Sequence, residues 1–394
     1  MIGEEEVTKM IVPRSRVSDT HQALRDDVMA AVEPLLFGPL PHEEKSETLE
    51  RAFAEMMEQR FACGVHSGTV GLFLALRGCG VGPGDEVITV GNSDISTTAA
   101  ISHCGARSVL CDVKESDFTM DPGLVEPLIT EHTKALLPVD LYGHPADVKS
   151  LREIADRHDL RIVEDAALAT GARDYGRPVG AFADATLFSF APFKPLGCVG
   201  NGGMVTTNHE GIARRVRLLC GYGHMPDRRA ETPGHQMHVG EGYNVPLDPV
   251  QAAVVRVKLP YLSEWTARRR RIAATYEEGI RPLGAAVPSF RPESEPTFRS
   301  YTIRVEQQQT VYQGLRAAGV EAVLHYVPPI YDQPVYENGG LRRGDLAVTD
   351  RLAQELICLP VAPELSEADV QCVIEVLRDL LSTVGADRRG GEPI

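Results

Sequence analysis

The sequence predicts a doubly wound α/β fold, with a mostly parallel sheet followed by a smaller α+β domain. Two observations carry that reading. From residue 67 onward, short apolar runs alternate with helical patterns, the order of a sheet crossed by helices. Most of those runs lack polar alternation, which suits strands buried on both faces. With 394 residues the chain can bury a substantial core, in one large or two smaller domains.

Residues 1–19 read as a loose arm. Leu24, Val28, Val32 and Leu35 recur at helical spacing and predict a helix over 20–35, stopped by Phe37-Gly38-Pro39. A second helix is expected over 46–59, with Ser46 as its N-cap. Strands are expected at 87–90, 108–111, 135–140, 161–163, 185–188 and 203–206, and helices at 94–102, 122–131, 147–158 and 210–219. The stretch 222–243 is rich in glycine, proline and histidine, and a loop of that length is usually functional or disordered. Helical patterns follow at 249–262 and 263–279. These elements divide the chain into a large α/β domain over 20–260 and a small α+β domain over 261–382. The small domain carries strands at 298–305 and 321–326 and helices at 310–318, 345–356 and 366–381, before a disordered tail over 383–394.

Composition narrows the function. A net charge of −15 argues against nucleic acid or an anionic membrane as partner. No run reaches the roughly 18 apolar residues of a membrane span, and the acidic start Met1-Ile-Gly-Glu-Glu-Glu shows no signal peptide, so the protein reads as cytoplasmic. None of the eight cysteines has Cys-x-x-Cys spacing, so neither a zinc site nor a disulfide framework is read. His235 and His238 could share a metal by spacing, but no third ligand is evident and no metal is expected.

Three stretches carry chemistry. In Phe188-Ser189-Phe190-Ala-Pro-Phe-Lys194-Pro, a buried strand ends in a tight loop that presents one amine. Apolar surroundings lower a lysine's pKa, and the free amine attacks carbonyls. Leu160-Arg-Ile-Val-Glu164-Asp165 reads as a strand whose end places Asp165 where ligands of parallel sheets gather. Ser67-Gly68-Thr69 opens an apolar helical run, and its free N–H groups and hydroxyls suit a phosphate. A phosphate cradle, a carboxylate and a lysine are the three handles required by pyridoxal 5'-phosphate.

Ser67-Gly68-Thr69, Gly84-Asp-Glu-Val-Ile88, Leu141-Tyr-Gly143 with Ala146-Asp147, Glu164-Asp165-Ala-Ala, Phe188-Ser-Phe190 with Lys194, and Gly242-Tyr-Asn244 together resemble the DegT-type (DegT/DnrJ/StrS) sugar aminotransferases, from about residue 20 to about residue 380. The resemblance implies the fold-type-I architecture and pyridoxal phosphate held covalently on Lys194. It also implies Asp165 against the pyridine nitrogen and Ser67, Gly68, Thr69 and Ser189 on the phosphate. Asn244 is implied to reach the phosphate of the neighbouring subunit, so the active unit would be a homodimer. The reaction implied moves an amino group from glutamate or glutamine to a ketone on a sugar nucleotide or cyclitol, as in antibiotic or deoxyaminosugar biosynthesis.

The pattern is broken beside the expected ring site. Asp94 stands where the family places a stacking aromatic, Leu168 replaces a glutamine, Thr170 a histidine and Asp140 a histidine. Asp94 either caps the helix after it or faces the pocket and pairs with a polar acceptor. Leu168 is expected at the cofactor, and His235, His238, His325 and Tyr326 are further candidates for substrate contact. Two alternatives stay open: a pyridoxal-phosphate lyase or dehydratase on a related sugar, and a non-catalytic regulator on the same fold. The dehydratase branch carries a histidine in place of the lysine, which Lys194 counts against.

Overall fold

A computed structural model describes residues 12–38, 43–224, 238–337 and 339–389. Its main sheet is built from β1 (Phe61–Val65), β2 (Glu86–Val90), β3 (Arg107–Cys111), β4 (Thr133–Leu136), β5 (Arg161–Asp165), β6 (Ala185–Ser189) and β7 (Gly203–Thr207). Two strands of the small sheet, β8 (Tyr301–Arg304) and β10 (Leu356–Leu359), pair antiparallel. Between them in sequence, β9 (Leu341–Arg343) leaves the small sheet and adds parallel to β3. The eight-stranded order is therefore β1-β7-β6-β5-β4-β2-β3-β9, parallel except where β7 pairs with β1 and β6.

The expected architecture is present. β2 and β6 are buried at every position, in keeping with mostly apolar runs that lack polar alternation. One core cluster lies around the sheet, and another, containing Ile272, Tyr276, Ile303, Val373 and Leu377, lies in the C-terminal part. A third cluster joins Phe53, Phe188, Phe190, Leu196 and Cys198, with Phe53 edge-on to Phe188 and Phe190 at 5.1 and 5.5 Å. It anchors both ends of the loop that carries Lys194.

Several local expectations are corrected. The helix expected over 20–35 is two, Val17–Ala23 and Arg25–Phe37, and Ser46 lies inside the Glu43–Met56 helix rather than capping it. The stretch 122–131 forms two short 3-10 turns, since Pro127 withholds an N–H group that a longer helix needs. Residues 321–326 form no strand, with only Val323 bridging Cys358, while β1, β9 and β10 are strands that were not anticipated. The described part of the supposed loose arm is held: Val12 is fully buried, its N–H donates to the Gly319 carbonyl at 3.0 Å, and Arg16 pairs with Asp369 at 2.9 Å. The final helix, Glu367–Arg389, continues past residue 382, where the expected tail begins. No helix among the described residues is long and apolar enough to cross a membrane.

Candidate active site

The carboxyl ends of the parallel strands open into a cavity of about 200 Å³. Its lining includes Ser67, Gly68, Thr69, Asp94, Asp165, Leu168, Ser189, Lys194 and Tyr326, so tertiary folding brings together nine of the candidates. The amine arrives on a loop shaped by its own backbone: the Lys194 N–H donates to the Ala191 carbonyl and the Cys198 N–H to the Phe190 carbonyl, at 2.9 and 2.8 Å. Gly197 is required there, because a Cβ would lie 2.4 Å from the Pro192 carbonyl oxygen. Burial first, then the positive charge of Arg299, lower the Lys194 amine to about 8, while Asp165 and Asp94 oppose that shift. A lysine so tuned exchanges protons near neutrality.

Asp165 ends β5, where it accepts the Ala167 N–H on Oδ1 at 3.1 Å and the Thr97 hydroxyl on Oδ2 at 3.3 Å. Thr97 in turn lies 2.9 Å from the Ser93 hydroxyl. Burial raises the Asp165 pKa against the Ala167 N–H and Lys194, so a cationic partner would hold it ionised. On the other side, Ser67 caps the Gly68–Gly78 helix by accepting the Val70 N–H at 3.3 Å. A Cβ on Gly68 would approach Ser189 Oγ to 3.1 Å, so the glycine lets this helix N-terminus close on the Ser189 hydroxyl. The donor set fits pyridoxal phosphate: free helix N–H groups and hydroxyls for an anion, a buried carboxylate, and an amine.

Asp94 is a cap that also faces the cavity. It caps the Ile95–His103 helix by accepting the Ser96 N–H at 2.9 Å, and it lines the cavity, its place being polar and not aromatic. Tyr326 lines the cavity with the His325 ring stacked on it at 4.8 Å, and burial with Arg14 and Arg299 lowers His325 to about 4. His238 does not line the cavity. It is exposed, with Nδ1 2.9 Å from the Tyr222 carbonyl, and His235 lies outside the described residues. Asn244 is exposed and also outside the lining. Thr97, Ser93, Ser96, Asn201 and Arg299 were not anticipated. The first three lie in the Asp94 stretch, where hydroxyl-rich spacing was the available signal.

Asp140 explains its own departure. It is fully buried beside Glu164, which is also buried, and accepts the Ala146 N–H on Oδ1 at 2.9 Å. The two carboxyls interact electrostatically, and Asp140 Oδ2 and Glu164 Oε2 are buried with no hydrogen-bond partner among the described residues. Such a pair shares one proton. Burial, above all, raises Glu164 to about 7 and Asp140 well above the ordinary carboxylate range. A raised folded-state value stabilises the fold below the unfolded pKa and loses that stability as pH rises through the folded one. Glu164→Gln should therefore remove a decline on the order of 2–3 kcal/mol between about pH 5 and pH 8. Urea unfolding of wild type and variant across that window checks it; parallel profiles would refute the shared proton.

The model of the DegT/DnrJ/EryC1/StrS aminotransferase family matches residues 25–378. The chain is 40% identical over 375 residues to the dTDP-3-amino-3,4,6-trideoxy-alpha-D-glucose transaminase of Streptomyces venezuelae, covering 93% of this chain and 96% of that protein. It is similar to the crystal structure of S. venezuelae DesV in complex with a ketimine intermediate, with a TM-score of 0.88, 39% identity and coverage of 95% of this chain and 99% of that one. It also resembles NtdA from Bacillus subtilis with bound cofactor PMP, at a TM-score of 0.83 and 25% identity, covering 96% of this chain and 86% of that one.

Proposed function

Because the chain belongs to the DegT/DnrJ/EryC1/StrS aminotransferase family, we propose that it transfers an amino group from glutamate or glutamine to a ketone on a nucleotide-linked deoxysugar or a cyclitol. The observation that carries this reading is the convergence of Lys194, Asp165 and the Ser67-Gly68-Thr69 helix start on one cavity. Pyridoxal phosphate, the cofactor implied by the family, supplies an electron sink for the carbanion left when a Cα–H bond breaks. Lys194 is the residue we assign to its covalent attachment.

The remaining chemistry belongs to the protein. Ser67, Gly68, Thr69 and Ser189 would hold the phosphate through N–H and hydroxyl donors. Asp165 Oδ would keep the proton on the ring nitrogen, its orientation set by Ala167 and Thr97. Lys194 Nζ, with its lowered pKa, takes the donor's Cα proton and returns one on the other half-reaction. Leu141, Leu168 and Leu187 cover apolar parts of the cavity and exclude water. Asn244 would complete the site of the neighbouring subunit, which makes the working unit a homodimer.

The test is nitrogen transfer from glutamate or glutamine, each ¹⁵N-labelled at the α-amino group, to a panel of dTDP-linked keto-sugars and keto-cyclitols. A labelled amine on one acceptor is the expected result. Elimination products without nitrogen gain would select the lyase instead, and a fully active monomer in sedimentation would overturn the shared site.

A further inference from the structure

Lys258 is a buried amine that holds the loop of another lysine. It ends the Pro249–Lys258 helix and is 2% exposed. Its Nζ donates to the Gly197 carbonyl at 2.7 Å and lies 2.7 Å from Nε2 of His21. Burial first, then the Lys258 charge, lower the His21 pKa against Glu364, so the ring is neutral near physiological pH and Nε2 can accept. Burial also lowers Lys258 to about 8, with Cys198 and Glu364 opposing the shift. A buried ammonium is unfavourable unless its N–H groups find acceptors, and two acceptors are in place here.

The Gly197 carbonyl belongs to a loop with little slack. A Cβ on Gly197 would lie 2.4 Å from the Pro192 carbonyl oxygen and 2.8 Å from that of Ala191, so Gly197 packs directly on the residues before Lys194. Ala191 supplies the carbonyl that accepts the Lys194 N–H at 2.9 Å. A shift of Gly197 is therefore passed to Ala191 and from there to Lys194. The same helix grips the loop again two turns earlier, where Gln251 Oε1 accepts the Val199 and Gly200 N–H groups at 3.1 and 2.8 Å. Gln251 and Lys258 are seven residues apart and share one helix face. The near side of the loop is met by the N-terminal segment: Arg14 lies 5.2 Å from the centre of the Phe193 ring. That segment is tied in turn to the C-terminal part of the chain, by the Arg14 N–H on Glu321 at 2.8 Å and the Thr20 hydroxyl on Glu364.

We propose that Lys258, oriented by His21, is a positioning residue for Lys194: it fixes the Gly197 carbonyl, and with it the loop that presents the Lys194 amine to the cavity. The assignment rests on the role given to Lys194 above. Lys258 does not line the cavity and acts through the loop alone. A base that takes a Cα proton has to be held within hydrogen-bond reach, and a misplacement of about 1 Å costs on the order of a hundredfold. Deleting the Lys258 amine takes this donor from the buried Gly197 carbonyl, and the carbonyl finds another only if the loop moves.

The experiment uses the full-length, cofactor-loaded enzyme. Lys258→Met keeps the apolar stem of the side chain and deletes the donor. It should lower kcat by about tenfold to a hundredfold in both half-reactions and hold KM for donor and acceptor within about twofold. Amide exchange read by mass spectrometry should quicken by about tenfold or more in the peptide spanning residues 191–200 and stay unchanged in β2 and β5. His21→Leu alters a half-buried residue and leaves the Gly197 bond in place, so it guards against a Lys258 variant that folds poorly; the same pattern is expected there, at about threefold. In either variant, a lower thermal midpoint with wild-type kcat and wild-type exchange at 191–200 makes the contact merely structural and overturns the proposal. A loss confined to KM also overturns it, because a displaced base slows the chemical step and not ground-state binding. Wild-type enzyme that transfers no nitrogen would refute the aminotransferase reading instead, and the exchange comparison still decides whether Lys258 holds the loop.

Discussion

Lys194→Ala should lower amino transfer by about four orders of magnitude or more, upwards of roughly 5 kcal/mol in transition-state stabilisation. Both half-reactions lose the group that moves the Cα proton, so both should fall together. The fold should survive, because the loop is held by backbone bonds at Ala191 and Phe190 and by apolar anchors at Phe190, Leu196 and Cys198, none of which uses the lysine side chain. Borohydride reduction followed by peptide mapping should label wild type at residue 194 and leave the variant unlabelled. A variant that still acquires a reducible cofactor adduct would sink the attachment at Lys194. A variant whose activity returns with a small exogenous amine would strengthen the proton-transfer role, since such an amine can occupy the space left by the side chain.

The second large effect is expected at Asp165. Asp165→Asn keeps the shape and one acceptor but removes the negative charge, and the asparagine amide cannot hold a proton on a ring nitrogen. The rate should fall by about 10²–10⁴-fold, the range for losing a positioned acid–base partner. Thr97→Val should cost far less, within about tenfold, because Oδ1 of Asp165 remains fixed by the Ala167 N–H. The ordering of the two variants is the point of the test. Rapid-mixing measurement of each half-reaction, together with cofactor retention after dialysis, separates loss of chemistry from loss of binding. An Asp165→Asn enzyme with near-wild-type rates would exclude the carboxylate from the reaction.

What the sequence determined by itself is local in origin. The apolar runs of β2, β5 and β6 specify strands buried on both faces, and Ser67 and Asp94 are recognisable as helix caps from residue type and position. The chemical handles Lys194, Asp165 and Ser67-Gly68-Thr69 are also legible, because a strand end, a tight loop and a helix start are encoded within a few residues. Tertiary structure alone decided the rest. β9 joins β3 across more than two hundred residues of sequence, for want of any local pattern that distinguishes an edge partner. Residues 321–326 have a strand-like composition, yet only Val323 finds a bridge, since a strand exists through its partner and not through propensity. Asp140 looked like a lost histidine until Glu164 was found against it, and the proton they share depends on burial that neither residue encodes. Arg299 is the extreme case: in sequence it sits among Phe298, Ser300 and Tyr301 like any strand arginine. Its burial beside the turn at Tyr142–Gly143 comes from backbone bonds between stretches far apart in sequence, Thr297 N–H to the Gly143 carbonyl and Ser300 N–H to the Tyr142 carbonyl.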